Sequence, residues 1–370
     1  MNKPLNINDI ANLAGVAKST VSRFLNGGSV SEKTKLKIEQ IIKKTGFLPN
    51  QSAQNLKSKH SKLVGVVIPR IDSYAVSRTL MGLDSILSEF DMQMLVLNSS
   101  QSIQREINAL DNLSKQKLAG VVWLASKFTS EHNKVIKQLQ LANIPILIVG
   151  QTHPTLPFIA YPDYEAASTL AKYCISLGHD NAAYIGVAES DLAVGKNRWQ
   201  GYLDVFKSNH ANLTRYLCSF SMDDAYQITK SILADKKTYS LILCATDNIA
   251  LGAFKALAEA GISIPDEISL AGFGGYQFSE MLHPAITTIS LPFYEAGQIA
   301  AYKLKLMNQI MLNEDASVKQ LCIEQFNSSS SANCLKRIDA THYQNRLTLD
   351  SDHIFTDFHL KKHQSVDLKS

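Results

Sequence analysis

Along the first fifty residues the apolar positions fall at helical spacing. Ile7, Ile10, Ala11 and Ala14 share one face, Asn6 stands where an N-cap is wanted, and Asp9 complements the N-terminal dipole. Gly15 interrupts the run and permits a tight turn. A second short helix turns Val21, Phe24 and Leu25 inward and shows Lys18, Ser19, Ser22 and Arg23 on its other face. A third opens at Ser31-Glu32-Lys33-Thr34, carries Ile38, Ile41 and Ile42 inside, and stops at Gly46. The pattern predicts a helix-turn-helix, whose second helix lies in the major groove of DNA. The plainer alternative is a structural helical hairpin.

From Leu63 the pattern changes. Apolar runs at 63–69, 92–97, 120–124 and 144–149 read as buried strands, with helices between them at 74–90, 102–115 and 130–141. The alternation repeats: helix 164–177, strand 182–187, helix 198–209, strand 241–244, helix 250–259, strand 268–273. Thr287-Thr288-Ile289 is expected to pass back to the first lobe, with a helix at 294–311 packing beyond it. Strands alternating with helices predict a parallel α/β sheet. Two such lobes joined by crossing strands make a cleft for a small ligand at the carboxyl ends of the strands.

Charge is unevenly spread. Residues 1–62 hold eleven Lys and Arg against three acids, a net of +8, while the rest carries 26 basic and 30 acidic residues, a net of −4. A basic head on an acidic body is the footprint of a nucleic-acid-binding module, although the basic helix 33–44 also suits a merely solvated face. The five cysteines, Cys174, Cys218, Cys244, Cys322 and Cys334, form no CxxC pair and no zinc-ligand spacing, which fits a reducing cytoplasm. The first residues form a capped amphipathic helix rather than an apolar leader, and no apolar run is long enough to span a bilayer. The chain lacks GxSxG, HExxH and Walker motifs, so neither an enzyme nor a cofactor or metal is expected.

The stretch from Ile7 to Asn26 (IxDIAxLAGVxxxTVSRxLN), then VSExTxxxI from Val30, Gly46-Phe47-Leu48-Pro49-Asn50, and Ala53 through Leu56 stand in order. Together they resemble the LacI family of sugar-responsive bacterial repressors, over about residues 5 to 325. The resemblance implies α/β with a small all-α head: an N-terminal helix-turn-helix plus a two-lobed, periplasmic-binding-protein-like (type I) parallel α/β ligand domain. The expected divisions are a DNA-binding head at 1–50, a hinge helix and linker at 51–62, a sugar-binding and dimerisation domain at 63–326, and a C-terminal extension at 327–370. That extension begins with the low-complexity Ser328–Ser331 and is expected to be poorly ordered.

By the same resemblance, DNA contacts are expected from Lys18, Ser19, Thr20, Ser22, Arg23, Asn26, Asn50, Ala53 and Leu56, with Leu56 as a minor-groove wedge. Effector contacts are expected from Arg70, Ser73, Tyr74, Gln151, Arg198, Trp199, Thr246, Asp247 and Phe273. Asp247 is expected to orient its loop, and Trp199 suits a core role as well as a sugar face. An aspartate often stands in the family where Gly274 stands here, which argues against a simple monosaccharide. Segments 68–74, 188–196 and 282–286 are similar to those of sucrose and trehalose operon repressors, the sucrose likeness being the stronger. The expectation is a cytoplasmic homodimer, tetramer not excluded, on a near-palindromic operator, released by a disaccharide or its 6-phosphate held between Arg70 and Arg198. The rivals are a trehalose repressor, a carbon-catabolite regulator with a phosphoprotein co-repressor, and a sugar-transport component.

Overall fold

The computed structural model describes residues 5–25, 28–47, 61–235, 238–312, 353–355 and 357–369. It divides into one compact unit at 1–61 and another at 62–370. The expected hinge and its contacts Asn50, Ala53 and Leu56, with Asn26 of the head, lie outside the described residues.

The first unit has helices α1 (Ile7–Ala14), α2 (Lys18–Leu25) and α3 (Glu32–Thr45). A capping box starts α1: Asn6 Oδ1 accepts the N–H of Asn8 at 2.8 Å, and Asp9 Oδ2 accepts the N–H of Asn6 at 2.8 Å. Gly15 ends it in the left-handed region at φ 59°, a conformation only glycine adopts without strain. Ile10, Ala14, Val21 and Ile38 are fully buried and close the small core, with Phe47 beside them. The entry to α2 is less well supported. Ala17 offers a backbone carbonyl to the N–H of Thr20 at 2.9 Å and of Val21 at 3.3 Å, but no side-chain acceptor.

In the second unit the amino-terminal lobe runs β1 (Leu63–Ile68), α4 (Tyr74–Glu89), β2 (Gln93–Asn98), α5 (Ile103–Ser114), β3 (Gly120–Trp123), α6 (His132–Leu141), β4 (Ile146–Val149) and β5 (Phe158–Ala160). The carboxyl-terminal lobe runs α7 (Asp163–Ser176), β6 (Asn181–Gly186), a π-turn (Leu192–Asn197), α8 (Arg198–Ser208), β7 (Asn212–Leu217), α9 (Met222–Ala234), β8 (Leu241–Cys244), α10 (Asp247–Glu259) and β9 (Ser269–Ala271). The chain returns through β10 (Thr288–Ser290) to α11 (Phe293–Leu312), and ends with β11 (His353–Ile354) and β12 (His359–Lys361). Sheet order is β11-β5-β4-β3-β1-β2 in the first lobe and β7-β6-β8-β9 in the second, all parallel, while β10 and β12 pair antiparallel. Val64, Val66, Val67 and Ile68 are wholly buried, as a parallel sheet covered on both faces demands.

The expected extension at 327–370 needs correction at its far end. Residues 353–355 and 357–369 are part of the body, not a poorly ordered tail. His353 and Ile354 add a parallel strand beside Ile159 and Ala160. Leu360 pairs with Ile289, Ser365 Oγ donates to the carbonyl of Leu270 at 2.5 Å, and the N–H of Lys369 donates to that of Leu177 at 2.9 Å. These residues are held because backbone groups in both lobes would otherwise lack partners.

Among the described residues, three stretches of chain therefore cross between lobes: β5 to α7, β10 to α11, and β11 to β12. Each contributes an aromatic ring to one cluster. Tyr161 lies 5.2 Å edge-on from Phe293 and 5.7 Å in a stack from Phe355. After the second crossing, α11 packs on α4 so tightly that both need glycine. A Cβ on Gly82 would fall 1.9 Å from the carbonyl oxygen of Tyr294, and one on Gly297 would fall 2.0 Å from that of Thr79. Among the described residues no helix is long and apolar enough to cross a membrane.

The bare entry to α2 sets an expectation. Ala17→Ser supplies the missing acceptor and should stabilise the head by ~1 kcal/mol. Thermal unfolding of the head followed by amide signals of α2 checks this, and an unchanged transition counts against it.

Candidate functional site

Two surfaces carry chemistry. On the head, Val21 anchors α2 in the core while Lys18, Ser19 and Arg23 are exposed and Thr20 and Ser22 partly so. The exposed side thus offers two cations and a hydroxyl in the first two turns, beyond a short helix that turns at Gly15. That is the composition needed to meet phosphates and base edges at once.

In the second unit the cleft lies where strand carboxyl ends face each other. It encloses a cavity of about 130 Å³ that opens to solvent at its mouth. Of the expected effector residues, Arg70, Ser73, Gln151, Arg198 and Thr246 line it. Arg70 follows β1 and lies over the Phe220 ring at 4.3 Å. Burial lowers its pKa, but a guanidinium there stays charged. No carboxylate of the described residues comes within 4.0 Å of it. Ser73 caps α4 and accepts the N–H of Val76 at 3.4 Å. Thr246 caps α10 and accepts the N–H of Ile249 at 3.2 Å.

Arg198 is 4% exposed and already engaged. Its Nε donates to Asp163 Oδ1 at 2.8 Å, its Nη1 to the carbonyl of Ala245 at 2.7 Å, and its plane lies 3.9 Å over Phe273. Burial alone would lower the Arg198 pKa; Asp163 reverses this, and the net shift is upward. Burial raises the Asp163 carboxyl against the opposing pull of Arg198. The guanidinium's charge is therefore balanced inside the protein, and its remaining N–H groups reach the cleft as directed donors.

The other expected contacts lie behind the wall. Phe273 is fully buried as the platform under Arg198 and does not line the cavity. Trp199, expected as an effector contact, instead stacks on Tyr184 at 5.3 Å with Arg215 over its ring at 4.8 Å. The cause is helical phase: Arg198 and Trp199 are adjacent on α8 and so point in different directions. Tyr74 stacks on Tyr276 at 4.3 Å, and Tyr276 lines the cleft in its place.

Asp247 is fully buried and organises the loops at the cleft floor. It accepts from Thr288 Oγ1 at 2.6 Å and from the N–H of Tyr276 at 2.6 Å, while its own N–H donates to the carbonyl of Phe273 at 2.9 Å. Burial raises its carboxyl to about 6, with the Thr288 hydroxyl opposing. This explains the glycine-rich Gly272-Phe273-Gly274-Gly275. A Cβ on Gly272 would fall 2.1 Å from Asp247 Oδ1. Gly274 adopts φ 131°, which disfavours an aspartate there.

Sequence reasoning missed Asp163, Asp191, Tyr161, Phe220 and Phe293, all of which line the cleft. Asp191 could have been found: Ser190-Asp191 ahead of an apolar turn is a capping signal, and Asp191 Oδ1 does accept the N–H of Val194 at 2.9 Å.

Comparison with known proteins matches both parts of the chain. Residues 6–50 match the family profile described as bacterial regulatory proteins, lacI family, and residues 61–331 match periplasmic binding proteins and sugar binding domain of LacI family. The chain is 36% identical to the sucrose operon repressor of Staphylococcus xylosus, over 82% of this chain and 94% of that protein. It is 31% identical to the HTH-type transcriptional regulator TreR of Escherichia coli, over 82% and 94%. Among solved structures, the lac repressor dimer bound to operator and the anti-inducer ONPF aligns with a TM-score of 0.72 at 26% identity, over 83% of this chain and 93% of that one.

The Asp247 carboxyl gives a pH expectation with a definite sign. Its folded value of about 6 lies above its ordinary 3.8, so the protonated form favours folding. That contribution is complete below the ordinary value and is lost as pH rises through about 6. Asp247→Asn should flatten the melting-temperature profile of the second unit between these two values. A slope equal to wild type's would refute it.

Proposed function

The chain belongs to the LacI family of bacterial regulatory proteins, and from that premise we propose that it represses a sucrose-utilisation operon and leaves its operator when a disaccharide inducer binds. It is a DNA-binding transcriptional regulator rather than an enzyme. The carrying observation is a cleft walled by both lobes in a chain whose second helix exposes two cations. Sucrose is the choice of sugar because of the 36% likeness to a sucrose operon repressor. The trehalose alternative draws on the 31% likeness to TreR and on Arg70 just beyond β1.

On this reading the regulator works in the cytoplasm as a dimer on a near-palindromic operator, since one helix-turn-helix reads too few base pairs alone. Lys18, Ser19 and Arg23 are the proposed base-edge contacts, with Thr20, Ser22, Asn26, Asn50 and Ala53 as further DNA contacts and Leu56 in the minor groove. The body divides as a head to residue 50, a linker to 62 and a ligand domain beyond. Arg70, Ser73, Gln151, Arg198 and Thr246 meet the sugar, while Tyr74, Asp247 and Phe273 hold those groups in place.

Arg198 and Asp163 neutralise each other, so Arg70 is the cation left to meet a phosphate on the inducer. A ligand touching both lobes favours one setting of them over the other. It lifts repression only if the setting it prefers is the one that cannot bind operator.

Two measurements test this. Lys18→Ala should weaken binding to the preferred operator by ~1–3 kcal/mol while sparing random duplex; equal losses on both would reduce Lys18 to a phosphate contact. Calorimetry of wild type and Arg70→Ala with sucrose, trehalose and their 6-phosphates should show a preference for a phosphorylated sugar that the variant loses. If wild type binds free and phosphorylated sugars equally, or the variant keeps the preference, Arg70 is no phosphate contact.

A further inference from the structure

The head carries a basic feature that base reading does not use. Helix α3 turns Ile38 into the core. Lys33, Lys37 and Lys44 fall within roughly 40° of one another, all on one flank of that buried line. Glu32 and Glu39 fall on the opposite flank, with Lys35 and Lys43. All of these side chains are exposed. One flank thus holds cations alone, while the other is mixed and Glu32 lies 3.7 Å from Lys35. Among the described residues no carboxylate comes within 4.0 Å of Lys33, Lys37 or Lys44.

Local physics does not account for this sorting. Lys33 stands in the first turn of α3, where the helix dipole disfavours a cation. A merely solvated helix face gains from opposite charges three and four residues apart, and the lysine flank has no acid. The flank also has a definite place in the head. A Cβ on Gly15 would lie 3.5 Å from Lys37 Nζ. The ammonium therefore sits at the turn between α1 and α2, just ahead of Lys18, which opens the reading helix. Complementing the carboxyl end of α1, which has no basic residue in its last turn, would explain Lys37 but neither Lys33 nor Lys44. From Lys33 to Lys44 the flank runs ~16 Å along the helix axis. Phosphates of one DNA strand follow every ~3.4 Å of duplex axis, so the flank is long enough to meet several.

We propose that Lys33, Lys37 and Lys44 form a second DNA contact, a stripe that binds the phosphate backbone beside the groove read by α2 and carries no sequence preference. It adds to the base-edge contacts above and rests on the reading that α2 enters the major groove. Phosphate contacts release counterions whatever the sequence. The stripe therefore sets how firmly the head holds arbitrary DNA and how steeply that hold falls with salt. Lys18, Ser19 and Arg23 set the choice among sequences.

The test is fluorescence anisotropy of the full chain on a random-sequence duplex, titrated in KCl from about 50 to 200 mM. Lys33→Gln with Lys37→Gln should lower the slope of log K against log salt by roughly 2 for each bound head. Lys35→Gln with Lys43→Gln removes as many charges from the other flank and should lower it by less than half as much. Lys33→Arg with Lys37→Arg keeps the charge and should keep the wild-type slope. If the first pair unfolds the head, as thermal melting would show, Lys44→Gln alone decides, with an expected fall of roughly 1. A slope unchanged by loss of the stripe lysines, or equal falls for the two glutamine pairs, overturns the stripe and leaves the DNA-binding reading intact. A wild-type chain that binds no duplex at about 50 mM salt overturns both.

Discussion

A guanidinium removed from water fixes one wall of the cleft. Arg198 could not be buried without Asp163, since an isolated charge in such a place is far too costly. The pair joins the starts of α7 and α8, and the second bond to Ala245 draws in the end of β8. Phe273 beneath the plane ties in the loop after β9. Asp247 does the same from the other side, binding β10 through Thr288 and the same loop through Tyr276. Two satisfied polar networks thus meet at one loop cluster, and a ligand there finds donors already placed.

What the lobes can do follows from how they are joined. Three crossings, each with a ring in a common cluster, leave little freedom except rotation about that cluster. Away from it the lobes touch through side chains that can part: Tyr74 on Tyr276, and Arg70 on Phe220. A sugar competing for Arg70 would also loosen one of those contacts. Binding and lobe setting are then linked through a named group, which is what coupling between sites requires.

Much of this was legible because local physics and global fold agree. The head could be read from caps, a turn glycine and helical spacing, and the buried strands from unbroken apolar runs. β7 was not read, because it is an edge strand half open to water; Asn212, Thr214 and Arg215 interrupt its apolar residues. α9 was missed for its weak start, although Ser221 caps it through the N–H of Asp223 at 3.1 Å. In the cleft, the two arginines were visible as motif residues, but their partners were not. Asp163 is nothing unusual at a helix start until it meets a residue 35 positions on. The tail misled for a related reason. His353 to Leu368 is rich in polar residues, yet Phe355, Ser365 and Val366 are buried, each against a different part of the body.

That tail also bears on how the molecule is made. Ser365 bonds to Leu270, 95 positions earlier, and His179 Nε2 lies 3.0 Å from the carbonyl of Asp367, 188 positions later. Such contacts close only after long stretches of chain have been arranged, and they are slow to form. On the ribosome, β5 and β10 wait with one edge unpaired until residues 353–369 have left the exit tunnel. During that interval the head can already be folded, because its contacts are local. A nascent regulator would then hold a finished DNA-binding module on an unfinished sensor, with open sheet edges exposed to other chains.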